Sequence, residues 1–152
     1  MQKEKTIESL NTLITINNDR IDGYELAAGE SEQQDFIALF TENASTSKKC
    51  NIDLKKEVIS LGGIPSEGTK NSGKFFRVWM EIKTAFTDND RKTILNSCDF
   101  GEEKARETYT EVLQNDAELL NPSQTSLIKN QRELLIKDHS KIITLQNSTM
   151  EA

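Results

Sequence analysis

Four stretches of this sequence carry apolar residues at alternating spacings of three and four, and the breaks between them are short, long and short. That spacing lines one face of an α-helix with a buried stripe. The first predicted helix runs from about Lys3 to Ala28, with Ile7, Leu10, Ile14, Ile21, Tyr24 and Ala28 inward and Gly29 as its stop. The second runs from about Glu32 to Leu61, opened by a Ser31/Gln34 capping box. Phe36, Phe40, Ala44, Ser47, Cys50 (or Asn51), Leu54, Val58 and Leu61 form its inner face. Gly62-Gly63 ends it, and Pro65 keeps it from resuming. The third long helix lies between Asp90 and Asp116, with Leu95, Cys98, Ala105, Tyr109 and Val112 inward. After the turn at Asn121-Pro122-Ser123, the last runs from about Gln124 to Ser148. Its inner positions are Leu127, Gln131, Leu134, Asp138, Ile142 and Leu145, with Ile128, Leu135 and His139 beside them.

Each helix is about 25 to 29 residues, or about 40 Å at the helical rise. Matched lengths predict one bundle, so residues 1–152 are expected to form a single domain. The link at Ser31 is too short for anything but antiparallel neighbours. The link from Gly62 to Asp90 is long and holds a short aromatic helix of its own, expected from Lys74 to Phe86. One long crossover between two helical pairs is the ferritin-like topology. The fold class expected is therefore all-α, a ferritin-like four-helix bundle with a short extra helix in the crossover. An up-down bundle with that helix laid across one end is the competing arrangement.

A formal net charge of −6 with no long basic run excludes the usual nucleic-acid binder. No apolar run is long enough to span a membrane, and MQKEKTIESL has no signal-peptide core. Cys50 and Cys98 sit far apart in helical settings and read as reduced packing residues of a cytoplasmic protein. Gly62-Gly63 lacks the strand and the Lys-Ser/Thr of a phosphate loop. Asp138-His139-Ser140 is no catalytic triad, because adjacent helix positions do not face each other.

Gly62-Gly63, the run Gly73-Lys74-Phe75-Phe76-Arg77-Val78-Trp79, Lys83, and Cys98-Asp99-Phe100-Gly101-Glu102-Glu103 form a scattered signature. Asp22-Gly23-Tyr24 with Ala27-Ala28, Gln131 and His139 extend it over almost the whole chain. The signature resembles DUF2383, a family of bacterial four-helix-bundle proteins of unknown function in the ferritin-like superfamily. The resemblance implies the fold and no established chemistry. Phe76 stands where the family usually has His, and Phe100 where it usually has Arg. Both exchange ligand or charge capacity for apolar bulk.

The residue that breaks the third stripe is Glu102. A carboxylate at an inward position must be paired, protonated, hydrogen-bonded or metal-bound. Ferritin-like di-metal centres use one Glu from each of two helices and a Glu-x-x-His from each of the others. Neither Glu-x-x-His is present. The best metal set is Glu25, Asp53 (or Glu57), Glu102 and His139, with Asp138 beside it; carboxylates alone suit Mg, Ca or Mn, and the ferritin-like di-metal reading implies Fe or Mn. The plainer reading pairs Glu102 with Arg, Lys or Tyr and lets Asn17, Glu102, Gln131 and Asp138 form one buried polar network. Phe75, Phe76 and Trp79 cap the core or make an interaction surface, such as a homodimer contact.

Three functions follow, in order. The first is a non-catalytic structural or protein-interaction bundle that needs no cofactor. The second is a carboxylate-based di-metal oxidase or metal-storage protein. The third is a small-molecule or lipid carrier, if the small residues Ala28, Ala44, Ser47 and Ala105 leave a cavity.

Overall fold

The structure is a computed structural model that describes residues 2–68, 84–88 and 90–151. Its long helices are α1 (Gln2–Glu30), α2 (Gln34–Ser60), α3 (Arg91–Asn115) and α4 (Pro122–Glu151), with a 3-10 turn at Ala117–Leu119 before α4. Residues 84–87 are helical, at the end of the crossover. Phe75, Phe76 and Trp79, and most of the short helix expected there, lie outside the described residues.

Contacts at the two ends set the direction of each helix. At one end the Thr6 hydroxyl donates to the Leu119 carbonyl (2.6 Å), and Gly63 presses against Ile7. A Cβ on Gly63 would come within 2.8 Å of Ile7, so only glycine permits that approach. At the other end Arg91 pairs with Asp35 (2.8 Å) and stacks its guanidinium 4.0 Å above the Phe36 ring. Hence α1 and α4 run one way and α2 and α3 the other. The principal packed pairs are α1 with α2 and α3 with α4. This is the crossover arrangement, not the up-down one.

Residues 64–68, which begin the crossover, run along the outer face of α1. Asn11 exchanges hydrogen bonds with the Ile64 carbonyl (3.1 Å) and the Ser66 amide (2.8 Å). Thr15 meets the Ser66 hydroxyl, and Asn18 donates to the Gly68 carbonyl. Positions 11, 15 and 18 share one face of α1, so three short polar side chains satisfy a loop that has no ladder of its own.

Helix ends follow local chemistry with three changes from expectation, the first being that α1 runs through Gly29, the expected stop, to Glu30. Asp90 caps α3 as its sequence predicts, accepting from Thr93 N (3.1 Å). Gly62 stops α2 at φ +82°, a conformation that suits glycine. The Ser31/Gln34 capping box does not form. Ser31 Oγ accepts from Gln33 N instead, and α2 begins at Gln34. At α4 the reciprocal cap is Asn121 with Gln124, whose side chains each accept from the other's backbone N–H (2.7 and 3.0 Å). The helix thus starts at Pro122, where the ring's missing N–H is harmless.

The apolar core falls into two blocks. One, around Phe36, Phe40, Tyr24, Leu95 and Ile142, fills the end near the α1–α2 turn. The other, around Leu13, Ile14, Leu54, Tyr109 and Leu135, fills the opposite end. Two stripes are rotated from expectation. On α4, Gln131, Asp138 and Ile142 are inward as expected, but Ile128 and Leu135 are fully buried while Leu134 is 46% exposed. On α1, Ile21 is half-buried and its neighbour Arg20 points into the core instead.

Candidate functional site

The layer between the two apolar blocks is polar and draws on all four helices. Its centre is Arg20, 1% exposed, on the inner face of α1. Arg20 Nε and Nη2 both donate to Glu102 Oε1 (3.2 and 2.6 Å), and Nη2 also reaches Asp138 Oδ2 (3.2 Å). Nη1 donates to Ser47 Oγ (2.5 Å) and to the Asn43 carbonyl (3.5 Å). The Tyr24 hydroxyl donates to the same Glu102 oxygen. Burial opposes the charge on Arg20, but Glu102 above all, with Tyr24 and Asp138, holds the guanidinium above its ordinary pKa. The Tyr24 phenol is driven well up by burial and then by the Glu102 charge, so it remains a donor.

A second branch leads away from Ser47. Ser47 Oγ donates to Asn17 Oδ1 (2.7 Å), and Asn17 Nδ2 donates to Tyr109 OH (2.7 Å). Tyr109 donates to Gln131 Oε1 (2.8 Å), and Gln131 Nε2 to the Cys50 carbonyl (3.0 Å). Every bond from Arg20 onward donates in the same sense, an order in which successive bonds polarise one another. The four polar residues that break the sequence stripes, Asn17, Glu102, Gln131 and Asp138, therefore stand in one network. Arg20 is the member that the spacing concealed. Its signal was a charge three positions after Asn17 and four before Tyr24, on the stripe itself.

The metal set drawn from the sequence is not gathered. Glu25 is exposed and paired with Lys48 (2.6 Å), and Asp53 is exposed on α2. Glu57 accepts from Gln124 near the far end. His139 is buried but turns to Asp99, with Nε2 2.5 Å from Asp99 Oδ1, and Asp99 Oδ2 accepts from Gln146. Only Glu102 and Asp138 converge, and Arg20 lies between them. Among the described residues no three His, Cys, Asp or Glu side chains are placed to hold an ion. A dinuclear centre does not fit a layer whose inward carboxylates grip a buried guanidinium. Ser47, one of the small residues considered as a cavity wall, is occupied by Arg20 and Asn17.

Both thiols are shut away from this chemistry. Burial raises Cys50 from an ordinary thiol's 9.0 to about 11, helped by the charges of Asp138 and Asp53. Burial and the nearby Glu102 drive Cys98 higher still. Neither is expected to react with a disulfide reagent at pH 8 in the folded protein, and both should react at once in denaturant, as counted by released thiolate. A folded pKa above the unfolded one means that Cys50 favours the fold equally at all pH values below about 9. Its contribution is then lost between about pH 9 and 11, as the unfolded thiol ionises first.

Residues 5–115 match the family model described as a domain of unknown function, DUF2383. The chain belongs to the DUF2383 family. Its matched region takes in α1, α2, the crossover and α3, and so includes Arg20, Ser47 and Glu102 but not Asp138. The DUF2383 fold here is similar to a crystal structure from Bacillus anthracis str. Ames described as ferritin like, diiron-carboxylate proteins. The TM-score is 0.67 at 16% identity, covering 96% of this chain and 98% of that one. At that identity the likeness establishes the ferritin-like bundle and nothing about chemistry. No curated protein matches the sequence.

Proposed function

We propose that this DUF2383 protein is a non-catalytic helical bundle, a structural or protein-interaction module formed by residues 1–152 as one domain. The observation that carries this reading is the pairing of Glu102, the inward carboxylate of α3, with Arg20 and Tyr24 inside the chain. A carboxylate so engaged is a poor ligand, and among the described residues no three His, Cys, Asp or Glu side chains gather to hold an ion. Apolar side chains left at the surface support an interaction role. Ile52 and Ile59, two turns apart on α2, are 56% and 62% exposed. Free Cys50 and Cys98 suit a reducing, cytoplasmic setting. No helix of the described residues is long and apolar enough to cross a membrane.

The alternative is a carboxylate-based metal protein, and the likeness to a structure described as diiron-carboxylate favours it. The two readings separate on metal content. Untagged protein incubated with Fe(II) and Mn(II), then desalted, is expected to carry no stoichiometric metal by elemental analysis and to consume no oxygen with Fe(II). One or two ions per chain surviving desalting would overturn the proposal.

A further inference from the structure

All five N–H bonds of the Arg20 guanidinium have an acceptor within the bundle: Glu102 Oε1 twice, Asp138 Oδ2, Ser47 Oγ and the Asn43 carbonyl. Those acceptors come from α2, α3 and α4, while the cation itself comes from α1. The layer still holds capacity that Arg20 does not use. Glu102 Oε2 and both polar atoms of the Asn43 side chain are buried without a hydrogen-bond partner. Two carboxylates thus face one guanidinium, with Lys141 reaching only the outer oxygen of Asp138 at 3.6 Å.

We propose that this layer is a cation-binding site whose occupant is built into the chain. Arg20 does for these inward acids what metal ions do in di-metal carboxylate bundles. A chain cut back at position 20 will take a free guanidinium-type monocation from solution in its place. This rests on the metal-free reading of the layer given above.

Shape decides in favour of a planar monocation over a divalent metal. The acceptors lie 2.5 to 3.5 Å from three separate nitrogens, distributed around the edge of a plane. A metal ion would need its oxygens gathered about one point at roughly 2.0 to 2.6 Å. The fork of a guanidinium presents five donors in fixed directions, and every one is matched here.

The test is thermal unfolding of Arg20→Ala. Truncation leaves Glu102 and Asp138 facing each other across the space of the lost side chain, and the midpoint should fall by about 10 °C. Adding about 20 mM guanidinium chloride should restore about half of that loss, while leaving wild type unmoved. Equal concentrations of NaCl and of urea, the neutral planar isostere, should restore none. Rescue by urea as good as by guanidinium would overturn the proposal, because filling space would then suffice. So would the absence of any rescue, or stabilisation by Mn(II) with none by guanidinium.

If Arg20→Ala aggregates, soluble yield on refolding replaces the midpoint as the readout. The pair Arg20→Ala/Glu102→Gln removes one of the stranded charges. It should fold without guanidinium and gain nothing from it. A double variant as aggregation-prone as the single one would count against a carboxylate-driven site. Metal on the wild-type chain would sink the metal-free reading alone, whereas these variants report on the cation site directly.

Discussion

Glu102→Ala is expected to cost about 3–5 kcal/mol of stability, the range for removing one partner of a buried ion pair. Glu102 Oε1 accepts from Arg20 Nε, Arg20 Nη2 and Tyr24 OH. Truncation strands all three donors where water does not reach, since Arg20 and Tyr24 are each 1% exposed. For a chain of this length the thermal midpoint should drop by about 6–20 °C. Glu102→Gln keeps an acceptor oxygen in nearly the same place and removes the charge, so its loss should be smaller. The distinguishing measurement is a double-mutant cycle with Arg20→Met read by urea denaturation. The combined Arg20→Met/Glu102→Leu change replaces a buried pair by apolar volume and should recover much of what either single change loses. Strictly additive losses would show that the two side chains are not coupled.

Phe40→Ala should be comparably damaging, at about 3–5 kcal/mol, for a different reason. Phe40 is fully buried and is the hub of an aromatic cluster, with ring centroids 5.2 Å from Phe36, 5.7 Å from Tyr24 and 6.2 Å from Phe86. The substitution opens a cavity where α1, α2 and the end of the crossover meet. It also removes the stacked wall that orients Tyr24 toward Glu102. Phe40→Leu fills most of that volume and should lose far less. The urea midpoint checks both variants, and hydrogen exchange of the 84–88 amides should quicken in Phe40→Ala. A loss under about 1 kcal/mol would mean that the neighbouring rings close the gap.

The two effects belong to the two kinds of interior in this bundle. The apolar blocks supply most of the driving force for collapse, yet such packing tolerates sliding between helices of similar surface. The layer at Arg20 admits few alternatives. Moving α1 by a turn would part Arg20 from Glu102, and Asn17 from both Ser47 and Tyr109, together, each loss leaving a buried polar group unsatisfied. A fixed helix register is the physical gain from burying a charge that brings little net stability by itself.

Much of the architecture was legible because it rests on local rules. Apolar spacing located the four long helices to within a few residues, Gly62 and Pro122 marked ends for reasons of backbone geometry, and Asp90 marked one by its side-chain cap. Short links demanded antiparallel pairs, and the long link allowed either a crossover or an up-down return, which the end-to-end contacts decided. Stripe phase was harder to read on α1 and α4. There, counting Ile and Leu favoured Ile21 and Leu134, whereas the bundle turned Arg20 and Leu135 inward and left Leu134 at the surface. Apolar count misled because a long charged side chain enters a core only when partners on other helices wait for it.

By itself, then, the sequence determined an all-α chain, the number of its long helices, the antiparallel pairing across each short link, and polar positions that no simple core would accept. Those follow from periodicity, chain geometry and desolvation, which act on each segment alone. Tertiary structure decided how those polar positions are used. Glu102 meets Arg20 across 82 positions and Asp138 meets it across 118. No local rule couples residues so far apart. Only the packing of four helices at one level brings the charges together, and only there does the cost of burying each one force it onto the others.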